Sequence, residues 1–135
     1  IDESLYGCCI LKFLLQPLVE NAVYHGIEKL DGQGRIKVSV ESCGEDLFLT
    51  VYDNGIGMSK EQVDGLNKDL EGQSEHFVIG ETQTSLGIRN VHYRIRDYYG
   101  DKYGLKVYST VNEGTYVQIT VPKIYSGNCE EEVNP

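Results

Sequence analysis

The chain has 135 residues, a length that suits one compact domain with a single hydrophobic core. Its formal net charge is −9, from 21 acidic against 12 basic residues, which disfavours a nucleic-acid partner, because such binders usually carry a basic face. The sequence contains neither a run of 18 apolar residues nor a signal-like leader, so we expect a cytoplasmic domain that does not itself contact a membrane.

The first third of the chain is typical of a helix followed by two strands. Apolar residues fall at helical spacing, at Leu11, Leu14, Leu15, Leu18 and Ala22. Pro17 interrupts this pattern, so the helix either kinks there or begins with Pro17 in its first turn, and we expect it to end between Gly26 and Leu30. Apolar and polar residues then alternate over 36–40 and 47–51, which predicts a hairpin that turns near Gly44.

The rest of the chain predicts two more helices and two more strands. A helix is expected from Ser59 to Leu70, with Ser59 as its N-cap. Residues 71–85 show no periodicity, which is typical of a lid or a disordered segment. Another helix then carries an apolar stripe, and two strands, 105–109 and 115–121, close the domain. The stripe consists of Ile88, Val91, Ile95 and Tyr98.

Together these elements predict an α+β fold. We expect a two-layer α/β sandwich, in which a mixed and mostly antiparallel sheet carries the helices on one face. The domain is assigned to residues 1–124 and an acidic tail to residues 125–135. The cysteines lack Cys-x-x-Cys spacing, so we expect reduced thiols rather than a zinc site or a disulfide framework. They are Cys8, Cys9, Cys43 and Cys129.

Asn21 is the first candidate for chemistry. It lies in mid-helix, where asparagine has poor propensity, and its amide oxygen suits Mg²⁺, which prefers oxygen ligands and completes its shell with phosphates and water. His25, four residues on, would share that helix face and could donate to a phosphate or a ribose. An ordinary solvated helix surface explains the same two residues, so the segment alone leaves both interpretations open.

Two glycine-bearing segments follow. Asp53 ends a strand and precedes Gly55 and Gly57, which fits a hairpin turn. It also fits a carboxylate that accepts from an exocyclic amine such as that of adenine, with glycines that let the backbone approach the ring. Gly87 is expected at a helix start, where N–H groups and the helix dipole favour anions, and Arg89 would add a charge-assisted contact. A plain helix start after a loop explains Gly87 as well.

In this order, the three segments resemble a known family. Residues 15–26, 53–58 and 86–91 resemble the N, G1 and G2 boxes of the GHKL ATPases. The Leu-Gln-Pro-Leu-Val-Glu-Asn-Ala run resembles in particular the catalytic ATP-binding domain of LytS/YesM-type sensor histidine kinases, and residues 94–100, 103–105 and 114–115 resemble its closing part. The resemblance implies the Bergerat fold, an α/β sandwich that binds ATP and Mg²⁺ under a mobile lid, here at about 71–85.

The resemblance also implies residue roles. Asn21 would hold Mg²⁺, Asp53 would accept from the adenine amine above a floor of Gly55 and Gly57, Gly87 would face the phosphates, and Thr115 would support the base pocket. The implied nucleotide-binding set is Asn21, Tyr24, His25, Asp53, Gly55, Gly57, Met58, Ser85, Leu86, Gly87, Arg89 and Thr115. Glu20 and Asn21 are the candidate catalytic residues.

Two boxes depart from the family's pattern. Hydrolytic members carry a glutamate four residues before the metal-binding asparagine, to activate water, and this chain has Pro17 there. Glu20 precedes Asn21 directly and points about 100° away on a helix, so we expect weak hydrolysis. In the G2 box, Gln83 and Ser85 stand where two glycines are usual.

We therefore expect the ATP-binding catalytic domain of a sensor histidine kinase, which transfers the γ-phosphate of ATP to a histidine on a separate dimerisation domain. Its partners would be that phosphoacceptor domain and a downstream response regulator, and the parent protein would be anchored in the cell membrane. Two other functions stay open: an ATP-hydrolysing clamp of the same superfamily, and a degenerate nucleotide-binding or interaction module.

Overall fold

The computed structural model describes residues 1–10, 13–28, 31–72 and 83–125, and of His25 and residues 83–86 it gives the backbone alone. A short 3₁₀ helix at Glu3–Leu5 opens the chain. The predicted helices and strands follow in the predicted order, and β1, a π-helical segment and β6 are additional to the prediction. They are β1 (Cys8–Cys9), α1 (Leu15–Asn21), a π-helical segment (Ala22–Ile27), β2 (Ile36–Cys43), β3 (Asp46–Asp53), α2 (Lys60–Leu70), α3 (Gln83–Tyr99), β4 (Gly104–Thr110), β5 (Gly114–Pro122) and β6 (Ile124–Tyr125).

The first helix begins later than its apolar spacing predicts and changes type before it ends. Pro17 is the third residue of α1, within the first turn, where its missing N–H costs no intrahelical bond. From Ala22 the chain continues as a π-helix, and the N–H of Glu28 donates to the carbonyl of Val23 at 2.9 Å, a spacing of five residues. The predicted end of the helix is confirmed, whereas its type is not.

Four strands form one sheet in the order β2-β3-β5-β4, and all three of its pairings are antiparallel. Residues of β3 alternate between half-buried and buried along the whole strand, because every second side chain points toward the helices. The largest fully buried side chains come from both layers: Leu14, Leu18, Leu47, Leu49, Leu70, Ile88, Ile95 and Ile119. The expected two-layer sandwich is confirmed.

The edge strand β4 is covered by polar side chains of two helices. Asn67 of α2 accepts from the N–H of Val107 at 3.0 Å and donates to its carbonyl at 2.8 Å, as a neighbouring strand would. His92 of α3 accepts from the N–H of Leu105 through Nδ1 at 2.9 Å. An edge strand otherwise leaves such groups open to pairing with another chain, so these contacts close that side of the sheet.

Three details differ from the sequence-based expectations. Tyr98 is 46% exposed, and Tyr99 packs against the core in its place, one turn after Ile95.

Tyr125, assigned to the tail, pairs with Cys8 in a two-stranded ribbon of β1 and β6, while the rest of the predicted tail lies outside the described residues. Cys9 is disulfide-bonded, so the expectation of reduced thiols is wrong for it, whereas Cys8 and Cys43 are free.

Across the described ranges, no helix combines the length and the apolar character that crossing a membrane requires.

Ser59→Ala is expected to lower the free energy of unfolding by about 1 kcal/mol. Ser59 caps α2 reciprocally: its hydroxyl accepts from the N–H of Gln62 at 3.2 Å, and its own N–H donates to Gln62 Oε1 at 3.0 Å. Urea unfolding of the variant measures the loss. Ser59→Thr, which keeps the hydroxyl, serves as the control and should lose about half as much or less. Equal stability of Ser59→Ala and the native chain would contradict this assignment.

Candidate functional site

The candidate site lies at one end of the sheet, where the buried face changes from apolar to polar. On that face, Ile119 of β5 lies between Leu49 of β3 and Leu105 of β4. In the next row, Val117 of β5 lies between Val51 and Val107. The next row pairs Asp53 with Thr115, and Thr115 with Ser109. Period-two alternation thus brings three polar side chains from adjacent strands together at the rim of the core.

Asp53 is the charged member of this polar row, and only 5% of its surface is exposed. Its Oδ1 accepts from the N–H of Gly55 at 2.9 Å. Its Oδ2 has no hydrogen-bond partner within the part of the chain that the structure describes. Burial raises the pKa of Asp53, and the Gly55 N–H acts in the opposite direction. The result is a carboxylate with one oxygen fixed and the other available as an acceptor.

Glycines let the π-helical segment approach this carboxylate closely. A side chain at Gly26 would place its Cβ 2.8 Å from Asp53 Cγ, and one at Gly55 would overlap the backbone of Gly26. The N–H of Ile56 donates to the Gly26 carbonyl at 3.3 Å, which fixes the loop after β3 against the helix. The sequence analysis did not identify Gly26 as a site residue. The feature of the sequence that could have indicated it is the position of Gly26 at the predicted end of the helix.

The π-helix also sets the direction of Asn21. Its i→i+5 hydrogen bonds bring residues five apart onto one side, whereas in an α-helix they would differ by about 140°. Asn21 therefore lies on the same side of the helix as Gly26. It is half-buried, and among the described residues its side chain has no hydrogen-bond partner. The expectation that His25 shares the face of Asn21 assumed α-helical spacing, and its side chain lies outside the described part.

The loop after Asp53 is fixed against the turn between β4 and β5. Gly57 has φ +68°, and a Cβ there would overlap the Thr110 carbonyl, so the position requires glycine. The N–H of Met58 donates to Ser109 Oγ at 2.8 Å. Ser109 Oγ also lies 2.8 Å from Thr115 Oγ1, with either hydroxyl able to donate. The sequence reasoning missed Ser109, although the alternation of Leu105 and Val107 extends to it.

The start of α3 differs from the prediction, whereas the phosphate-facing roles of Gly87 and Arg89 stay predictions. The helix α3 begins at Gln83, so Gly87 is its fifth residue and lies beyond the four N–H groups that a helix start leaves free. The premise that Gly87 marks the helix start is therefore wrong. Arg89 forms a salt bridge of 2.6 Å with Asp69 of α2, and both side chains are mostly buried. The side chains of Ser85 and Leu86 lie outside the described residues.

The remaining candidates surround the same end of the sheet. Glu20 is exposed and accepts from Gln16 Nε2 at 3.0 Å, on the outer side of α1. Tyr24 is 58% exposed, whereas Met58 is half-buried against the core and Thr115 is buried. The expected lid falls mainly on residues 73–82, which lie outside the described residues.

Comparison with known proteins identifies the class to which this fold and site belong. The family described as histidine kinase-, DNA gyrase B- and HSP90-like ATPases (HATPase_c) matches residues 10–124. The chain belongs to this family and is an ATP-binding catalytic domain of it.

Its relatives narrow the class further. The chain is 32% identical over 123 residues to the sensor histidine kinase YpdA of Escherichia coli (strain K12), a match that covers 90% of this chain and 19% of YpdA. It is 31% identical over 133 residues to the sensor histidine kinase YesM of Bacillus subtilis (strain 168), covering 98% of this chain and 19% of YesM. The expected resemblance to sensor histidine kinases is confirmed, and the chain spans about a fifth of the length of these relatives.

A solved structure supports the fold. The histidine kinase domain of the blue-light activated histidine kinase EL346 from Erythrobacter litoralis superimposes with a TM-score of 0.52 at 21% identity, covering 82% of this chain and 42% of that chain. The Bergerat-type sandwich is therefore confirmed.

Gly57→Ala is expected to lower the free energy of unfolding by about 3 kcal/mol or more, because the new methyl group adds overlap with the Thr110 carbonyl to the strain of a left-handed backbone. Gly44→Ala is the matched control: φ is +60° there and nothing lies within 4 Å, so only the backbone cost of about 1–2 kcal/mol applies. Chemical unfolding measures both variants, and equal losses would show that the overlap is relieved at no cost.

Proposed function

We propose that this domain binds ATP with the adenine amine on Asp53 Oδ2 and positions the γ-phosphate for transfer to a histidine on a separate dimerisation domain. The observation that carries the proposal is the Asp53 carboxylate, nearly removed from water, with Oδ1 occupied by the Gly55 N–H and Oδ2 open. An acceptor-only group in such a place favours a ligand that presents an N–H donor. The adenine amine meets that requirement, and glycine at positions 26 and 55 lets the backbone lie close to the carboxylate.

Asn21 is proposed as the protein ligand of Mg²⁺. Its amide oxygen is of the type that Mg²⁺ accepts, and Asn21 lies five residues before Gly26, the glycine that approaches Asp53. Mg²⁺, when bound, supplies charge neutralisation for the phosphates. Within the described ranges, no three side chains of His, Cys, Asp or Glu gather as a metal site, so the remaining ligands in this proposal are phosphate oxygens and water.

Transfer to a histidine fits the residues around Asn21 better than hydrolysis. Pro17 lies one turn before Asn21, where a water-activating carboxylate would stand, and it has no acid–base group. Glu20 is held by Gln16 on the exposed side of α1, and the proposal gives it no role in activating water. The work of the domain is then positioning and charge neutralisation, which is most of what phosphoryl transfer requires. The proposal also includes an acceptor histidine on the dimerisation domain, a response regulator downstream of it and a parent protein anchored in the membrane.

A second candidate function, a module that binds nucleotide without transferring phosphate, is favoured by one observation. Arg89, expected at the phosphates, is paired with Asp69 at 2.6 Å, and Gly87 lies inside α3 rather than at its start. Measurements of nucleotide binding and of phosphoryl transfer therefore distinguish the two functions.

Asp53→Asn is expected to weaken binding of a non-hydrolysable ATP analogue roughly ten- to a hundredfold, because the amide would present a donor to the adenine amine. The raised pKa means that ionised Asp53 costs the folded state stability, from the unfolded value of 3.8 upward and fully above the folded pKa. At neutral pH the variant should therefore unfold at the same or a higher temperature than the native chain.

Calorimetric titration and thermal unfolding measure these two effects together. Asp64→Asn, an exposed aspartate on α2, is the control and should change neither. Unchanged affinity in Asp53→Asn would refute the base-binding role, and a large loss of stability would show that the carboxylate is structural.

Asn21→Ala is expected to remove the Mg²⁺-dependent gain in analogue affinity while leaving Mg²⁺-free binding unchanged. The same substitution should abolish phosphoryl transfer from γ-labelled ATP to the dimerisation domain of the parent protein, supplied separately. A native chain that binds the analogue but transfers nothing to that domain would support the binding module instead. An equal Mg²⁺ effect in both chains would rule out Asn21 as the ligand.

A further inference from the structure

The hydroxyl of Ser109 lies at the centre of the contacts that hold the polar row together. It accepts from the N–H of Met58, in the loop after β3, at 2.8 Å. It donates to the carbonyl of Gly114, the first residue of β5, at 2.8 Å. A third contact, also of 2.8 Å, joins it to Thr115 Oγ1. Three segments of the candidate site therefore meet at one side chain, to which the proposed function gives no role.

The Gly114 carbonyl decides which of the two hydroxyls donates to the other. A serine hydroxyl has one hydrogen to donate and two lone pairs with which to accept. A carbonyl oxygen can only accept, so the short contact with Gly114 requires the hydrogen of Ser109 to point at it. The two lone pairs of Ser109 then accept from the Met58 N–H and from the Thr115 O–H. Thr115 is therefore the donor of the pair.

Thr115 consequently presents an acceptor, and no donor, to the rest of the site. Its one hydroxyl hydrogen is directed at Ser109, the partner that this hydroxyl has within the described part of the chain. Thr115 is 8% exposed and is the cross-strand partner of Asp53, whose Oδ2 is also an open acceptor. Side chains in such a pair have Cβ atoms about 4.5–5.5 Å apart. The rim of the core thus carries two acceptors on neighbouring strands.

We propose that Ser109 is a positioning residue for base selection: it holds the hydrogen of Thr115 so that Thr115 Oγ1 and Asp53 Oδ2 both accept. The inference rests on the proposed nucleotide site and adds to it a residue that sets specificity. Two acceptors favour a purine with an amine at C6, because an amine donates. They disfavour a purine with a carbonyl oxygen at C6, which would face lone pairs and lose its own hydrogen bonds.

Discrimination between bases separates this role from a purely structural one. If Ser109 only fixed the Met58 loop against the turn between β4 and β5, its loss would weaken the binding of every nucleotide alike. If it holds the Thr115 hydrogen, its loss frees that hydroxyl to rotate and to donate to a carbonyl oxygen at C6. The ratio of two affinities, and not either affinity alone, is therefore the informative quantity.

The test is a calorimetric titration with ADP and with inosine diphosphate, whose base carries a carbonyl oxygen at C6 and a hydrogen on N1. The native chain should prefer ADP, and Ser109→Ala should reduce this preference roughly three- to tenfold, the effect of about one neutral hydrogen bond. Ser109→Thr keeps the hydroxyl and should keep the preference. Ser42→Ala, at an exposed serine of β2, is the matched control and should bind both nucleotides as the native chain does.

Thr115→Val, which removes the hydroxyl at nearly constant volume, tests whether Ser109 acts through Thr115. It should reduce the preference for ADP by a similar factor, and adding Ser109→Ala to it should change the preference no further. A further fall in the double variant overturns the proposal, as does an unchanged preference in either single variant. Because Thr115→Val is decisive by itself, the test does not depend on the folding of Ser109→Ala.

Failure of this inference and failure of the proposed function give different results. A native chain that binds neither diphosphate overturns both. ADP binding that Asp53→Asn weakens, together with an unchanged preference in Ser109→Ala, overturns the role of Ser109 alone.

Discussion

The structure of the site depends on one carboxylate placed at the rim of a hydrophobic core. Alternation along β3 forces Asp53 onto the same face as Leu49 and Val51, where an ion loses most of its hydration. Among the described residues, the N–H of Gly55 is the hydrogen bond that compensates this carboxylate, and the pKa of Asp53 remains raised. Gly26 then closes over it without a side chain. A group that is left under-compensated at a polar rim indicates a binding function more than a stabilising one.

Hydrogen-bond periodicity explains which parts of this arrangement can be predicted from the sequence. The strands, the capped helix α2 and the face of Asp53 follow from alternation and capping residues, which are local properties. The π-helix after Asn21 has no such local signature. Within it, the Gly26 carbonyl accepts from the Ile56 N–H of the loop after Asp53, a contact between segments thirty residues apart. The shared face of His25 and Asn21 stays a prediction, because the side chain of His25 lies outside the described residues.

Tertiary pairing explains the other differences. Arg89 was expected at a phosphate because its segment has the sequence of an anion-binding helix start, but Asp69, twenty residues earlier, supplies a carboxylate at 2.6 Å. Asn67 occupies the open edge of β4 through contacts forty residues apart in sequence. Such partners are decided by the packing of α2 against α3 and β4, which spacing within one element does not encode.

The helix α3 is joined to the end of α2 by side chains on neighbouring turns. Arg89 pairs with Asp69, the next-to-last residue of α2, and the hydroxyl of Tyr93, one turn later on α3, donates to the Asp69 carbonyl at 3.3 Å. The guanidinium of Arg89 carries five N–H donors, and its bond to Asp69 is made through Nη2. The pairing with Asp69 therefore fixes the position of the guanidinium at the contact of α2 with α3 without by itself excluding a phosphate.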